Sequence, residues 1–116
     1  MGKNQPIETR GALEGMRVIE VCQVMAGPFC GTLLADMGAD VIKIEKPGGG
    51  DDARMFGRHF DGGESHGFMN LNRNKRSMVL NLKDEEGCNL LRELAAGADA
   101  ITENYRPGAL DRMGLG

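Results

Sequence analysis

The 116-residue sequence lacks an excess of positive charge, since its formal net charge is −3. That balance argues against a general nucleic-acid-binding protein, so no nucleic-acid partner is predicted. The sequence also lacks an apolar run of membrane-spanning length, and no membrane partner is predicted. Cysteines are few. Their odd number, three, and the absence of a signal-peptide pattern predict a reducing, cytoplasmic setting.

Short apolar runs bounded by turn residues predict a first β-α-β unit. Residues 16–21 (MRVIEV) and 41–45 (VIKIE) are rich in β-branched residues, and each run predicts a strand. A helix between them is predicted to begin at Pro28, where the missing N–H costs nothing, and to end at Gly38. One face of this helix carries Phe29, Leu33, Leu34 and Met37. The crossover makes the two strands parallel neighbours in one sheet.

A second unit repeats this order. Residues 77–82 (SMVLNL) predict a strand, Asp84 caps a helix that ends at Gly97, and residues 100–103 predict a further strand. Pro107 or Gly108 begins a last turn or helix. The pattern predicts an α/β fold with a parallel sheet and flanking helices in residues 12–116. A polar, flexible lead-in is predicted at residues 1–11.

The two units end in related phrases, GADVIKIEKPG and GADAITENYRPG, so two predicted strands deliver polar and basic groups just past their carboxyl ends. Ligands of open parallel sheets bind at that edge, and a phosphate-bearing small molecule is the predicted ligand. An ordinary solvated surface is the competing interpretation. Between the units, the phrase NLNRNKRS offers Asn and Arg donors to anionic oxygens. The candidate residues near the strand ends are Lys46, Lys83, Asn104, Arg106 and Arg112.

Three other kinds of site are weaker hypotheses. The turn AGPFCG does not match the G-x-G-x-x-G dinucleotide fingerprint, and a plain strand-to-helix turn explains it. Cys30 lies in the first turn of the predicted helix, but no histidine is near it in sequence, so a catalytic cysteine is a weak hypothesis. Cys22 and Cys88 are interpreted as small core residues. The candidate metal ligands are His59, Asp61, Glu64 and His66. Their spacing matches no familiar zinc pattern, and no metal site is predicted.

Six ordered blocks carry a resemblance that covers residues 13–116. They read L-x-G-M-R-V-I-E, VMAGP, LLADMGADVIKIEKPGGGD, NRNKRS, LNLK and ENYRPGALDRMGLG. Together they resemble the N-terminal portion of the class III CoA-transferases, the formyl-CoA transferase and carnitine CoA-transferase family (CaiB/BaiF type). The resemblance implies a Rossmann-like large domain, of which residues 12–116 form the N-terminal segment. The α-methylacyl-CoA racemases share this fold and several of the blocks.

The resemblance implies an enzyme that transfers CoA between an acyl-CoA and a carboxylic acid. In the family an aspartate attacks the thioester, which leads through a mixed anhydride to an aspartyl-CoA thioester. CoA or acyl-CoA is then a substrate, and no tightly bound cofactor is implied. Full-length members form interlocked homodimers. The CoA contacts that the resemblance implies are Val24, Met25, Ala26, Lys46, Leu80, Asn81, Leu82, Lys83, Asn104, Tyr105, Arg106 and Arg112.

The aspartate nucleophile of the family has no counterpart among the 116 residues, so no catalytic residue is predicted. The chain is expected to be an N-terminal fragment that is inactive alone. Two alternatives stay open at this point. One is a fragment of an α-methylacyl-CoA racemase-like enzyme, whose catalytic residues would also lie beyond residue 116. The other is a non-enzymatic module that binds CoA or a nucleotide, with an unfinished sheet edge that favours association.

Overall fold

The computed structural model describes residues 11–55, 59–60 and 64–115. Nearly all of the predicted lead-in, residues 1–11, lies outside them. Short strands and helices alternate along the chain. They are β1 (Arg17–Val21), α1 (Ala26–Asp36), β2 (Asp40–Glu45), a 3-10 helix (Asp52–Met55), β3 (His59–Phe60), β4 (Glu64–Ser65), α2 (His66–Leu71), β5 (Arg76–Val79), α3 (Glu85–Ala96), β6 (Ala100–Glu103) and α4 (Ala109–Arg112).

Four of the strands form one parallel sheet in the order β5-β2-β1-β6. Each neighbouring pair is parallel, with Val18 opposite both Val41 and Ala100, and Ile42 opposite Arg76. Strands β3 and β4 form a separate antiparallel pair. The predicted α/β fold is therefore confirmed. Because all four strands run the same way, their carboxyl ends meet at one edge of the sheet.

Two predicted boundaries differ from the structure. The strand predicted over residues 77–82 already ends at Val79. Leu80 still donates its N–H to the Glu45 carbonyl, but the chain then turns, with Asn81 accepting from the N–H groups of Lys83 and Asp84. Such a local turn replaces the sheet ladder. Helix α1 begins at Ala26, so Pro28 occupies its first turn, where its lack of an N–H still costs no hydrogen bond.

Most of the large apolar residues of α1 do not pack on the sheet. Its buried residues are small, namely Pro28, Gly31, Thr32 and Ala35. Phe29, Leu33 and Met37 are exposed. Close approach to the sheet explains this choice, because a Cβ atom built on Gly31 would lie 1.9 Å from Glu20 Oε1. Of the predicted apolar face, only Leu34 packs against the core, and the other three side chains point to solvent.

The core lies on both faces of the sheet. One cluster packs α3 against strand residues such as Ile19, Val21 and Ile44, and the other packs α1 against Val18 and Val41. Cys22 and Cys88 are buried and free, which confirms their interpretation as small core residues, while Cys30 is exposed. Within the described part of the chain, no helix combines the length and the apolar character that crossing a bilayer requires.

Candidate functional site

A cleft of about 510 Å³ opens at the carboxyl edge of the sheet. Residues that end or follow all four strands line it, with Gln23 after β1, Lys46 after β2, Leu80 after β5 and Tyr105 after β6. Six of the predicted binding residues are thus brought together. They are Lys46, Leu80, Asn81, Leu82, Lys83 and Tyr105.

The lining of the cleft combines an apolar floor with positive charge. Ile44 and Leu80 are buried members of the core and form part of the floor. Lys46 and Lys83 line the cleft as well, and both residues are exposed. An apolar surface next to exposed ammonium groups suits a small molecule with both an apolar part and a phosphate or other anion.

Lys46 follows the last residue of β2. Its side chain is 49% exposed, and its Nζ lies 2.6 Å from Asp52 Oδ1. The hydrogen bond with Asp52 raises the pKa of Lys46 above its ordinary value. The glycines that follow have φ angles of 80°, 134° and 73°, which returns the chain toward Asp52. An anionic ligand at Lys46 must therefore compete with one exposed carboxylate.

The loop after β5 is fixed against α3. Asn81 Oδ1 accepts the Lys83 N–H at 3.1 Å, and Asn81 Nδ2 donates to Asp84 Oδ2 at 3.1 Å. The loop also passes so close to Gly87 that a Cβ atom there would lie 2.0 Å from the Asn81 carbonyl oxygen. The backbone is thus held by α3 while the Lys83 side chain extends toward solvent.

Glu45 lines the cleft, but both of its carboxylate oxygens are engaged by the protein. Arg54 donates to both oxygens at 2.7 Å, the Asp51 N–H donates to Oε1 at 2.8 Å, and the Ser77 hydroxyl donates to Oε2. Burial raises the pKa of Glu45, but these bonds outweigh it and lower the pKa to about 2. Arg54 also stacks 3.8 Å from the centroid of the Phe68 ring. Glu45 is therefore an ionised structural group.

The turn between β1 and α1, residues 22–26, lies beside the cleft. Of its residues Gln23 lines the cleft, while the predicted contacts Val24, Met25 and Ala26 do not. Asn104 holds this turn by exchanging two hydrogen bonds with the Gln23 backbone, at 3.0 Å and 2.9 Å. The side-chain amide of Asn104 is thus used for positioning the turn. Arg106 and Arg112 also lie outside the residues that line the cleft.

The family of this chain follows from its match to a protein-family model. Residues 13–116 match the model of CoA-transferase family III. The chain belongs to CoA-transferase family III. This confirms the resemblance that the six sequence blocks carry.

Relatives in CoA-transferase family III are close in sequence. The chain is 49% identical over 104 residues to the succinyl-CoA:glutarate CoA-transferase of Homo sapiens, covering 90% of this chain and 24% of that protein. It is 45% identical over 115 residues to the acetyl-CoA:oxalate CoA-transferase of Acetobacter aceti, covering 99% of this chain and 29% of that protein. The chain therefore spans about a quarter of the length of these curated relatives.

A solved structure agrees with the family III fold. A CAIB/BAIF family protein from Brucella suis superposes with a TM-score of 0.85 at 41% sequence identity, over 92% of this chain and 29% of that one. A protein from Mycobacterium tuberculosis, Rv3272, gives a TM-score of 0.82 at 38% identity, over 91% of this chain and 29% of that chain. At these identities the likeness supports both the fold and the family assignment.

Sequence reasoning missed four buried charged residues beneath the turn of this family III chain, here named the buried charge cluster: Glu20, Lys43, Asp51 and Lys75. Lys43 Nζ lies 2.9 Å from Glu20 Oε2 and 2.8 Å from Asp51 Oδ2. Burial lowers the pKa of Lys43, but the bonds and charges of these two carboxylates outweigh it and raise the pKa. The available signal was a charged residue enclosed by apolar ones in each β-branched run, Glu20 in VIEV and Lys43 in VIKIE.

The cations of the phrase NRNKRS meet carboxylates of the protein. Arg73 lies 2.7 Å from Asp36, and Arg76 lies 2.6 Å from Asp40. Arg76 begins β5, so it lies at the amino edge of the sheet, opposite the cleft. In this structure these donors thus bind carboxylate oxygens of the protein itself.

Metal ligands form no cluster among residues 11–55, 59–60 and 64–115, where no group of three or more His, Cys, Asp or Glu side chains is placed to hold an ion. Of the four residues weighed for zinc, Asp61 lies outside the described residues, and the side chains of the other three are not described. The sequence-based prediction of no metal site stays a prediction.

Proposed function

We propose that this chain supplies a coenzyme-A-binding segment of an acyl-CoA:carboxylate CoA-transferase. Its substrates are an acyl-CoA and a free carboxylic acid. The carrying observation is the cleft at the carboxyl edge of the sheet, which gathers six of the residues that the family resemblance assigns to CoA. The relatives named succinyl-CoA:glutarate and acetyl-CoA:oxalate CoA-transferase support the reaction class.

The proposed binding mode uses both parts of the lining. CoA carries phosphate groups, and Lys46 and Lys83 offer ammonium donors to them as point charges. The apolar floor, with Leu80, Leu82 and Tyr105, suits the less polar surface of the same molecule. Binding at Lys46 replaces the exposed Asp52 carboxylate by a phosphate, and an exposed ion pair costs little to break.

The proposed chemistry follows the family resemblance. An aspartate attacks the thioester carbon and CoA leaves as a thiolate, which gives a mixed anhydride. The thiolate then attacks the aspartyl carbonyl, which releases the first acid and leaves an aspartyl-CoA thioester. The acceptor carboxylate takes up CoA through the reverse of these steps. No residue of this chain matches that aspartate, so the proposal assigns CoA binding to the chain. No tightly bound cofactor takes part.

We also propose a homodimeric assembly in the cytoplasm. The apolar side chains of Met25, Phe29, Leu33 and Met37 are 63%, 51%, 44% and 45% exposed, and a stripe of this kind supports association with another surface. Three free cysteines support a reducing compartment. Light scattering coupled to gel filtration tests the assembly, because a monomeric mass at micromolar concentration would contradict it.

Calorimetric titration of the chain with CoA tests the proposed function. We expect Lys46→Ala and Lys83→Ala each to weaken binding by about 1–3 kcal/mol, the usual size of a charge-assisted contact. Arg17→Ala is the matched control, because Arg17 is 47% exposed, as Lys46 is 49% exposed, but lies at the amino edge. It should leave the affinity unchanged. No heat of binding from a chain that circular dichroism shows to be folded would contradict the proposal.

A further inference from the structure

The buried charge cluster lies directly beneath the turn that joins β1 to α1. Its side chains are at most 2% exposed, and they carry two negative and two positive charges. We propose that Asp51 is a positioning residue, which holds the turn at residues 22–26 in the shape that places Gln23 in the cleft. Lys43 keeps Asp51 in place, and Glu20 and Lys75 extend the cluster. This inference rests on the proposed function, because it concerns the turn beside the same cleft.

Asp51 joins the turn to the loop after β2. Its Oδ1 accepts hydrogen bonds from the Val24 N–H at 3.0 Å and from the Ala53 N–H at 2.9 Å. Its Oδ2 lies 2.8 Å from Lys43 Nζ and 3.2 Å from the Val24 nitrogen. Its own N–H donates to Glu45 Oε1 at 2.8 Å. One buried carboxylate therefore connects the two loops that follow neighbouring strands.

Val24 needs such a restraint. Its φ is 70°, in the left-handed region, which a β-branched residue adopts only as an outlier. A backbone of this kind persists where the surroundings fix it. Two acceptors face the turn from opposite sides, since Asp51 takes the Val24 N–H and Asn104 takes the Gln23 N–H. The Asp51 bond is the one that falls on the residue with the unfavourable φ.

The far end of the cluster fixes the start of α1. Lys75 Nζ lies 2.6 Å from Glu20 Oε1 and donates to the Pro28 carbonyl at 2.7 Å. Pro28 is in the first turn of α1, two residues after Ala26. At the other end of the turn, Lys43 Nζ donates to the Cys22 carbonyl at 3.3 Å. The cluster thus touches the backbone before and after the turn. Buried charges add little net stability compared with apolar residues of the same volume, so a geometric role accounts for them better than a contribution to stability.

The test compares two substitutions of Asp51 by CoA titration of the full chain. Asp51→Asn keeps an oxygen that can accept the Val24 N–H, whereas Asp51→Ala removes it. We expect Asp51→Ala to weaken CoA binding about tenfold, because the hydrogen bond from the Val24 N–H is lost. Asp51→Asn should weaken CoA binding less than about threefold, because that hydrogen bond is retained. Equal losses in the two variants would overturn the positioning role.

Val18→Ala is the matched control for lost stability. Val18 is 1% exposed and packs at the amino half of the sheet, away from the turn. The variant should be less stable than the parent, yet bind CoA with the same affinity while folded. If Val18→Ala weakens CoA binding as much as Asp51→Ala does, the effect of Asp51 is merely structural.

A double-mutant cycle with Val24→Gly isolates the strained residue. Glycine adopts the left-handed region without strain, so the turn should depend less on Asp51 in that background. We expect the tenfold loss from Asp51→Ala to fall to about threefold or less when Val24→Gly is also present. The same loss in both backgrounds would overturn the inference.

Hydrogen exchange separates failure of this inference from failure of the proposed function. If the folded parent chain binds no CoA, the proposed function fails. The exchange rate of the Val24 amide still tests whether Asp51 positions the turn. Asp51→Ala should accelerate exchange of that amide at least about tenfold relative to Val18→Ala, because its acceptor is gone. Equal protection of the Val24 amide in both variants would overturn the positioning role on its own.

Discussion

The two edges of the parallel sheet carry the same kinds of charged residues in opposite surroundings. At the amino edge, Asp40 pairs with Arg17 and Arg76, and the three side chains are 38%, 47% and 62% exposed. Toward the carboxyl edge, the buried charge cluster is at most 2% exposed. Water screens the exposed charges at the amino edge. The charges of the buried cluster have lost their hydration, and only their ion-pair partners compensate for that loss.

The difference bears on how firmly the loops at each edge of the sheet are held. Exposed ion pairs impose little geometry, because water can replace either partner. Buried ion pairs have few alternatives, so the loops that they touch are held in one arrangement. In this chain the turn at residues 22–26 and the loop at residues 46–51 are both tied to buried carboxylates, Asp51 and Glu45. Substitutions of buried charges should therefore have larger effects than substitutions at the amino edge.

The largest effect is expected from Lys43→Met. The substitution leaves Asp51 and Glu20 without the ammonium group that lies 2.8 Å and 2.9 Å from them. Leaving a buried charge uncompensated costs about 3–5 kcal/mol, and the free energy of unfolding should fall by that amount. Urea denaturation followed by circular dichroism measures it. A loss below about 1 kcal/mol, the range of exposed pairs, would remove the distinction between the edges.

Acid should destabilise the protein through Glu45. Its pKa is lowered from 4.5 to about 2 in the folded state. The folded state therefore binds a proton at Glu45 more weakly than the unfolded chain does. The stabilisation that the ionised Glu45 contributes is present above the unfolded pKa and is lost as pH falls toward about 2. At about 1.4 kcal/mol for each pKa unit, the loss is about 3 kcal/mol.

Glu45→Gln tests this acid dependence. Unfolding free energies of parent and variant, measured between about pH 5 and about pH 2, should converge as pH falls, since protonation removes the same charge. Asp40→Asn is the control from the amino edge. The pKa of Asp40 is lowered too, against the opposing effect of burial, by its bonds to Arg76 and Arg17, but its exposure should make the change smaller. Parallel profiles for parent and Glu45→Gln would contradict the prediction.

A smaller loss is expected from Gly31→Ala. The added methyl group would meet Glu20 Oε1, and overpacking of this kind costs about 1–3 kcal/mol. Alanine favours a helix over glycine by about 1 kcal/mol, so the net loss should lie at the lower end of that range. Thermal unfolding of Gly31→Ala beside Cys30→Ala, an exposed neighbour in α1, measures the difference. A Gly31→Ala variant more stable than the parent would show that Glu20 can move aside.

The smallest effect is expected from Arg76→Ala at the amino edge. Arg76 is 62% exposed, and its loss should change the free energy of unfolding by less than about 1 kcal/mol. The change should shrink further in high salt, where exposed charges are screened. Denaturation at low and high ionic strength measures both effects. A salt-independent loss as large as that of Lys43→Met would mean that the amino edge is fixed as firmly as the carboxyl edge.

Much of the fold could be predicted from sequence, because short β-branched runs and turn residues act locally. The strand at residues 100–103 has the predicted bounds. Asp84 directly precedes α3, but its side chain makes no capping hydrogen bond and instead accepts one from Asn81. The strand predicted to reach residue 82 ends at Val79, since the Asn81 side chain forms a turn that hydrophobic alternation does not reveal. The burial of α1 through small residues depends on close packing against Glu20, which is a tertiary property.

The grouping of residues at the carboxyl edge was predicted in outline, and their role in binding stays a prediction. The rule that ligands bind at the carboxyl edge of a parallel sheet places Lys46 and Lys83 together, and the cleft contains both. The partners of the buried charges could not be predicted, because Lys43 and Asp51 are joined by the path of a glycine-rich loop. Likewise, the hydrogen bonds of Asn104 depend on the pairing of β6 with β1, which no local pattern specifies.

The most direct test is to map CoA on the folded chain by amide chemical shifts in a titration. CoA should shift the amides around the cleft, including those of Lys46, Asn81, Lys83 and Tyr105. The amides of the amino edge, such as that of Arg76, should stay unchanged. Saturable shifts confined to the carboxyl edge are the predicted result. Shifts at the amino edge, or none at all in a folded chain, would contradict the assignment of CoA binding to this cleft.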